Sequence, residues 1–312
     1  RRQWGWDCHG LPIEKMIQSE YNLTTKKDIE EFGIKKFNQA AKASVFKYDK
    51  EWKHTIPQTG RFVDMDTSYT TMDPSFTKSV WWGFGEIYKK GLVYESFKVM
   101  HVSPLLETTL SNFEVNQGYR DITDISATVK FELVDEPNTF VLAWTTTPWT
   151  LPGNVALAVG NEVMYVKLKF EDAFYIVAKD LVEKNFKDKQ FEIAEEYLGS
   201  ELVGKSYKPV FEYYIKDKSL TNYENGWKMY PADFVTTTDG TGIVHIAPAF
   251  GEDDLNLGKE FNLPFVQHVK MNGEIKDEVI ELAGRQAKPK HDPQETDIEV
   301  IKLLAHKGTL FA

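Results

Sequence analysis

The chain has 312 residues, 42% of them hydrophobic and 13% aromatic, enough for one large core or two smaller ones. A single cysteine, Cys8, excludes an internal disulfide framework and a multi-cysteine metal site, and no 18-residue apolar run is available to cross a bilayer. The net charge of −10 argues against a dedicated, electrostatically driven nucleic-acid binder, but leaves room for a domain that meets RNA while tethered to another domain holding most of it.

No signal peptide is visible, and the chain opens on Arg1-Arg2 without methionine, as an excised piece of a longer chain would. Apolar residues at 27–53 (Ile29, Phe32, Phe37, Ala40, Ala41, Val45, Phe46, Trp52) recur at helical spacing. A second helix is predicted from Asp73-Pro74, an N-cap followed by proline, to a stop at Gly91. An extended segment, 92–102, follows. From about residue 117, runs rich in β-branched and aromatic residues predict strands at 126–133, 139–146, 163–169, 173–178, 209–215 and 243–247. Short helices are predicted at 179–186, 251–261 and 293–306. The expected fold class is α+β: a mostly helical segment, 1–116, followed by a β-rich domain, 117–312. The basic stretches Lys35-Lys36, Lys184 to Lys189 and Arg285 to Lys290 read as solvated faces.

Three stretches carry candidate chemistry. In Gly5-Trp6-Asp7-Cys8-His9-Gly10-Leu11-Pro12-Ile13-Glu14, two glycines and a proline make a tight loop in which Asp7 can pair with an ammonium group; an ordinary turn into a helix is the competing reading. Asp7, Cys8 and His9 lack the further ligands that a metal site needs. In Trp144-Thr145-Thr146-Thr147-Pro148-Trp149, strand alternation puts Thr145 and Thr147 on one face and Thr146 on the other. The proline drives Thr147 toward an extended conformation. Hydroxyls so held can bond a water or a developing oxyanion without ionising, or they can serve only as strand formers. The third stretch, Gly240-Thr241-Gly242-Ile243-Val244-His245-Ile246-Ala247-Pro248, continues to Asp253-Asp254. It reads as a turn, a short strand containing His245, and a helix opened by acidic residues. It is too weak for a phosphate loop. His245 read alone is a core residue, and Asp254 a cap or dipole partner.

Together, GWDCHGLPIE, TTTPWTLPGN and GTGIVHIAPAFGEDD, in this order, resemble the isoleucyl-tRNA synthetases. Trp81-Trp82 and Leu110-Ser111-Asn112-Phe113-Glu114 also fit. Valyl and leucyl enzymes typically carry arginine where Thr147 stands, which favours the isoleucyl branch. The His-x-Gly-His signature and the KMSKS loop are absent, and Leu105-Leu106-Glu107 departs from the family pattern. The resemblance therefore implies part of a catalytic domain followed by a barrel-like inserted editing domain, unable to activate an amino acid by itself. Such a domain hydrolyses valyl-tRNA(Ile), and valyl-adenylate is a second candidate substrate. The problem it solves is that one methylene is worth only about 1–3 kcal/mol in a pocket, a known limit for these enzymes rather than an inference from this chain.

On this resemblance, Thr145, Thr146 and Thr147 line the hydrolytic floor and Asp254 holds the substrate α-ammonium. His245 stands at the side-chain end, as a sieve in preference to a general base. Trp144 and Trp149 wall the pocket or merely pack. Asp7 matches the aspartate that binds isoleucine in the synthetic site of the parent enzyme. Editing needs no cofactor and no metal; ATP and Mg2+ belong to the parent reaction. The expected partner is the acceptor end of tRNA(Ile) carrying valine or isoleucine, with a monomeric chain in the cytoplasm and no membrane. Two alternatives are a non-catalytic module that binds the tRNA acceptor end and a free-standing hydrolase of misacylated tRNA.

Overall fold

The structure, a computed structural model, describes residues 2–312. It divides into two compact units, the first reaching Phe97 and including 105–107, the second comprising 98–104 and 108–312. Residues 108–116, grouped with the helical segment in the sequence reading, thus cluster with the second unit.

In the first unit, β1 (Gln3–Trp6) runs parallel to β2 (Asp64–Thr70). Gly5 lies against the Tyr69 ring, which passes 2.5 Å from where a Cβ would stand. The predicted helical stretch 27–53 is three helices rather than one: α2 (Lys26–Phe32), α3 (Ile34–Val45) and α4 (Asp49–Gln58), preceded by α1 (Leu11–Tyr21). The first break falls at Gly33, whose φ of 102° is costly for any residue with a Cβ. A capping box between Thr25 and Asp28 starts α2. The hydrogen bonds from Thr24 and Thr25 hold the Asp28 carboxyl down to about 2. Helix α5 (Pro74–Lys89) starts and stops where proline and Gly91 place it. Residues 92–101 form no regular element.

The second unit begins with a small ribbon, β3 (Val102–Ser103) and β4 (Thr108–Thr109), and a short capped helix, α6 (Asn112–Asn116). Next come β5 (Ala127–Glu132) and β6 (Thr139–Thr145), a 3₁₀ turn (Pro148–Gly153), and β7 (Ala156–Val159). They are followed by β8 (Met164–Phe170), β9 (Ala173–Ala178), α7 (Val182–Asn185), β10 (Glu192–Leu198) and α8 (Gly199–Leu202). The unit closes with β11 (Lys228–Pro231), β12 (Ile243–Ile246), α9 (Glu252–Glu260) and α10 (Glu295–His306).

Five strands form one sheet in the order β10-β8-β9-β6-β5, and three form another, β11-β7-β12. The α+β class is as expected, but the sheets stay open and do not close into a barrel. The predicted strand at 209–215 is instead a set of turns, although Val210 and Phe211 are buried. Its apolar pattern reported burial, not pairing. Conversely, β7 was not predicted: its Ala-Leu-Ala-Val run is fully buried between β11 and β12, so neither face shows polar alternation. Edge strand β10 was hidden by its charges.

The main core lies beneath the five-stranded sheet, with Phe131, Leu142, Tyr165, Leu168 and Ile176 at its centre. Tyr165 ties it to the site, its hydroxyl donating to the Gly242 carbonyl at 2.6 Å and accepting the Gly160 N–H at 3.0 Å. Burial pushes that phenol up to about 12. Gly242 is doubly required: its φ is 73°, and a Cβ there would meet the Ala178 Cβ at 2.3 Å.

Candidate functional site

Strand β6 ends at Thr145, and the chain then leaves the sheet through Thr146 and Thr147 into the 3₁₀ turn. Antiparallel to β7, β12 carries His245 opposite Leu157. After β12 the chain bends through Ala247–Gly251 into α9, whose first turn contains Asp254. These pieces enclose a cavity of about 270 Å³ lined by Trp144, Thr145, Thr146, Thr147, Thr150, Val244, His245, Ala247, Phe250 and Asp254.

The floor is a cluster of hydroxyls. Thr145 Oγ1 is 3.4 Å from Thr147 Oγ1 and accepts the Thr147 N–H at 3.1 Å, while Thr147 Oγ1 is 3.4 Å from Thr150 Oγ1. The pairing of Thr145 with Thr147 follows the strand alternation, and Thr146 is the exposed member.

In the lining, Asp254 accepts the Ala247 N–H on Oδ1 at 2.7 Å. Burial raises its carboxyl above the usual carboxylate range, against the lowering pull of backbone N–H groups. Gly251 leaves room for this carboxylate: a Cβ there would stand 2.1 Å from Asp254 Oδ2. Also in the lining, His245 is buried, with Nε2 2.8 Å from Thr150 Oγ1 and Nδ1 3.3 Å from Asn154 Nδ2. Burial, and secondarily nearby His268, hold its pKa down to about 4, so the ring is neutral at pH 7. The arrangement offers hydroxyls, one carboxylate and a neutral imidazole around a space of about 270 Å³.

The family model described as tRNA synthetases class I (I, L, M and V) matches residues 1–279. The chain belongs to this family. Within this synthetase family it is similar to the isoleucine–tRNA ligase of Bdellovibrio bacteriovorus, at 42% identity over 99% of this chain and 29% of that protein. It is 43% identical to the isoleucine–tRNA ligase of Bacillus thuringiensis, again over 99% of this chain and 29% of that one. A probable cytoplasmic isoleucine–tRNA ligase of Dictyostelium discoideum is 39% identical over the same shares. The chain thus spans under a third of the length of these relatives. Among solved structures, GlLeuRS-CP1 superposes with a TM-score of 0.42 at 13% identity, over 60% of this chain and 98% of that one. The P. knowlesi cytosolic leucyl-tRNA synthetase editing domain gives 0.32 at 16%, over 45% and 63%.

Of the residues singled out in this synthetase sequence, Trp144, Thr145, Thr146, Thr147, His245 and Asp254 all line the one cavity. Trp144 stands at its rim, 37% exposed and packed on Gly240. Trp149 does not line it. Its ring meets Phe250 edge-on at 5.1 Å, behind the cavity wall, and borders a neighbouring cavity of about 360 Å³. Asp7 is in the first unit, exposed beside a cavity of about 430 Å³ lined by Cys8, His9 and Glu14 among others. Among the described residues no cluster of three His, Cys, Asp or Glu could hold a metal ion.

Several residues that position the site were not singled out. Thr150, Asn154 and Phe250 lie inside the quoted motifs, but only their partners reveal a role. Two more are remote in sequence. Asp297, fully buried in α10, accepts the Trp149 N–H at 2.8 Å, and His268 Nε2 donates to the Trp149 carbonyl at 2.9 Å. The turn after the threonines is thus held on both faces of one residue. Lys288 bridges Asp297 at 2.7 Å and Asp124 at 2.8 Å, so this lysine of a basic run is an internal brace rather than a solvated charge.

Proposed function

We propose that the second unit is an editing hydrolase that cleaves the ester of valyl-tRNA(Ile), within a longer isoleucine–tRNA ligase. The observation that supports this reading is the meeting, in one small cavity, of the Thr145–Thr147 hydroxyls with the Asp254 carboxylate from nearly a hundred residues later. Asp254 holds the α-ammonium of the aminoacyl group by a charge-assisted bond. Its Oδ1 is anchored by Ala247, which fixes the carboxylate's aim. The threonine hydroxyls then place the ester and a water at attacking distance, where orientation rather than a strong base lowers the barrier. His245, neutral and bonded at both nitrogens, closes the side-chain end and limits bulk.

The cavity lining contains no lysine or arginine and one carboxylate, a donor set that suits neither a triphosphate nor its Mg2+. On the family resemblance, ATP and Mg2+ serve the synthetic reaction of the parent enzyme, toward which Asp7 contributes its ammonium-binding carboxylate. The partner is the acceptor end of tRNA(Ile), and the compartment is the cytoplasm. The test is deacylation of valyl-tRNA(Ile) against isoleucyl-tRNA(Ile) by the 312-residue chain. Faster loss of valine supports the proposal. Binding of both tRNAs with hydrolysis of neither would leave a non-catalytic acceptor-end module in its place.

A further inference from the structure

A chain of hydrogen bonds leads from the core to the threonine floor. The Tyr207 hydroxyl, in a side chain only 2% exposed, donates to Asn154 Oδ1 at 2.7 Å. Asn154 Nδ2 donates to the Ala156 carbonyl at 2.9 Å and reaches His245 Nδ1 at 3.3 Å. His245 Nε2 lies 2.8 Å from Thr150 Oγ1, and the Thr150 hydroxyl donates to the Thr147 carbonyl at 2.8 Å.

The direction of every proton in this chain follows from its two ends. A backbone carbonyl only accepts. The Ala156 carbonyl therefore requires the nitrogen of the Asn154 amide, leaving its oxygen for Tyr207 and its second N–H for the imidazole. The Thr147 carbonyl takes the Thr150 proton, so Thr150 Oγ1 presents a lone pair to the ring. Both requirements converge on one state of His245, with Nδ1 accepting and Nε2 donating.

We propose that Tyr207 is a positioning residue: acting through Asn154, it locks His245 as the Nε2–H tautomer in one orientation, and this lock sets the cavity's selectivity between aminoacyl side chains. The selectivity clause rests on the editing function proposed above; the tautomer clause does not. Tyr207 does not line the cavity. The Ala156 carbonyl sets which way the Asn154 amide faces, and the Tyr207 hydroxyl, donating to the amide oxygen, holds the amide against the turning that would take Nδ2 off Nδ1. Neither ring nitrogen retains a lone pair for a substrate water, so the locked histidine shapes the cavity and takes no proton.

The experiment compares the 312-residue chain with its Tyr207→Phe variant. In 15N-histidine spectra at pH 7, with the His245 signals assigned by their loss in His245→Gln, the parent chain is expected to show protonated Nε2 and bare Nδ1. Tyr207→Phe is expected to mix the two tautomers. It should also reduce the ratio of valyl- to isoleucyl-tRNA(Ile) hydrolysis by about tenfold, the scale of one neutral hydrogen bond. If Tyr207→Phe does not fold, Thr150→Val breaks the chain at its other end and is read by the same spectra. A parent chain showing Nδ1–H, or variants that keep a pure Nε2–H signal, would overturn the lock. Tautomer mixing with an unchanged hydrolysis ratio would overturn its role in selectivity. A parent chain that hydrolyses neither ester would remove the editing function, and the spectra would still decide the lock.

Discussion

Two parts of the cavity lining, around His245 and around Asp254, are built differently. Around His245 every polar group of the ring is paired, and the partners Thr150, Asn154 and Tyr207 are themselves buried and paired. Behind the wall, Asp297 and His268 hold the Trp149 backbone on both sides, while the buried Trp149 Nε1 and His268 Nδ1 have no hydrogen-bond partner. Around Asp254 one carboxylate oxygen is pinned by Ala247, while Gly251 keeps the space beside the other open. A closed network gives shape, because its geometry is over-determined. An open charge gives binding, because its partner is still to come. Damage to the first should register mainly as stability, and damage to the second as activity.

The largest effect expected is in the closed region. Asp297→Ala strands the Trp149 N–H and leaves the partly exposed Lys288 with Asp124 alone; losing a buried hydrogen bond to a charged group costs about 1.5–3 kcal/mol, and the severed contact with Lys288 adds to it, read as a lower urea midpoint. A deletion that left the midpoint unchanged would mean that the turn holds itself.

Acid tests the same region without mutation. His245 and His268 are both held down to about 4 from an ordinary value of 6.5, by burial in each case. The fold prefers the neutral ring, so the stability tied to each is present above 6.5 and is lost as pH falls through 4. Each shift corresponds to about 3 kcal/mol. Urea midpoints measured from pH 7 to pH 4 should therefore decline, and replacing His268 with glutamine should flatten the decline.

In the open part, Asp254→Ala should leave the midpoint almost unchanged and slow valyl-tRNA(Ile) deacylation about a hundredfold, the scale of a lost charge-assisted bond. Gly251→Ala, which crowds Oδ2, should act in the same direction less strongly. Unaltered hydrolysis in Asp254→Ala would separate this carboxylate from the substrate. The smallest effect expected on hydrolysis is that of His245→Ala, which also lowers the urea midpoint by stranding Thr150 and Asn154: isoleucyl-tRNA(Ile) is now attacked, with discrimination falling about tenfold. Loss of all hydrolysis would instead assign the ring a chemical role and erase the contrast between the two parts.

Much of this is legible in the sequence. Proline at 74 and glycine at 91 bracket α5, and the alternation of Val163 to Lys169 marks β8. The threonine, histidine and aspartate positions stood out together only through the resemblance of their motifs to the isoleucyl-tRNA synthetases; read alone, His245 is a core residue and Asp254 a cap. The strand at 209–215 misled because buried turns can be as apolar as strands. Strand β7 was invisible because a strand covered on both faces carries no period of two.

By itself the sequence determined family membership, the punctuation of the helices and the residue types available to the site. Only the tertiary structure decided that Trp149 stands behind Phe250 rather than in the cavity, that Lys288 is a brace, and that one tautomer of His245 satisfies its neighbours. The physical reason is distance along the chain. Hydrogen bonds such as Tyr207 to Asn154 and Trp149 to Asp297 join residues 53 and 148 positions apart. Strand pairing and helix packing bring those donors to their acceptors, and no local pattern encodes either.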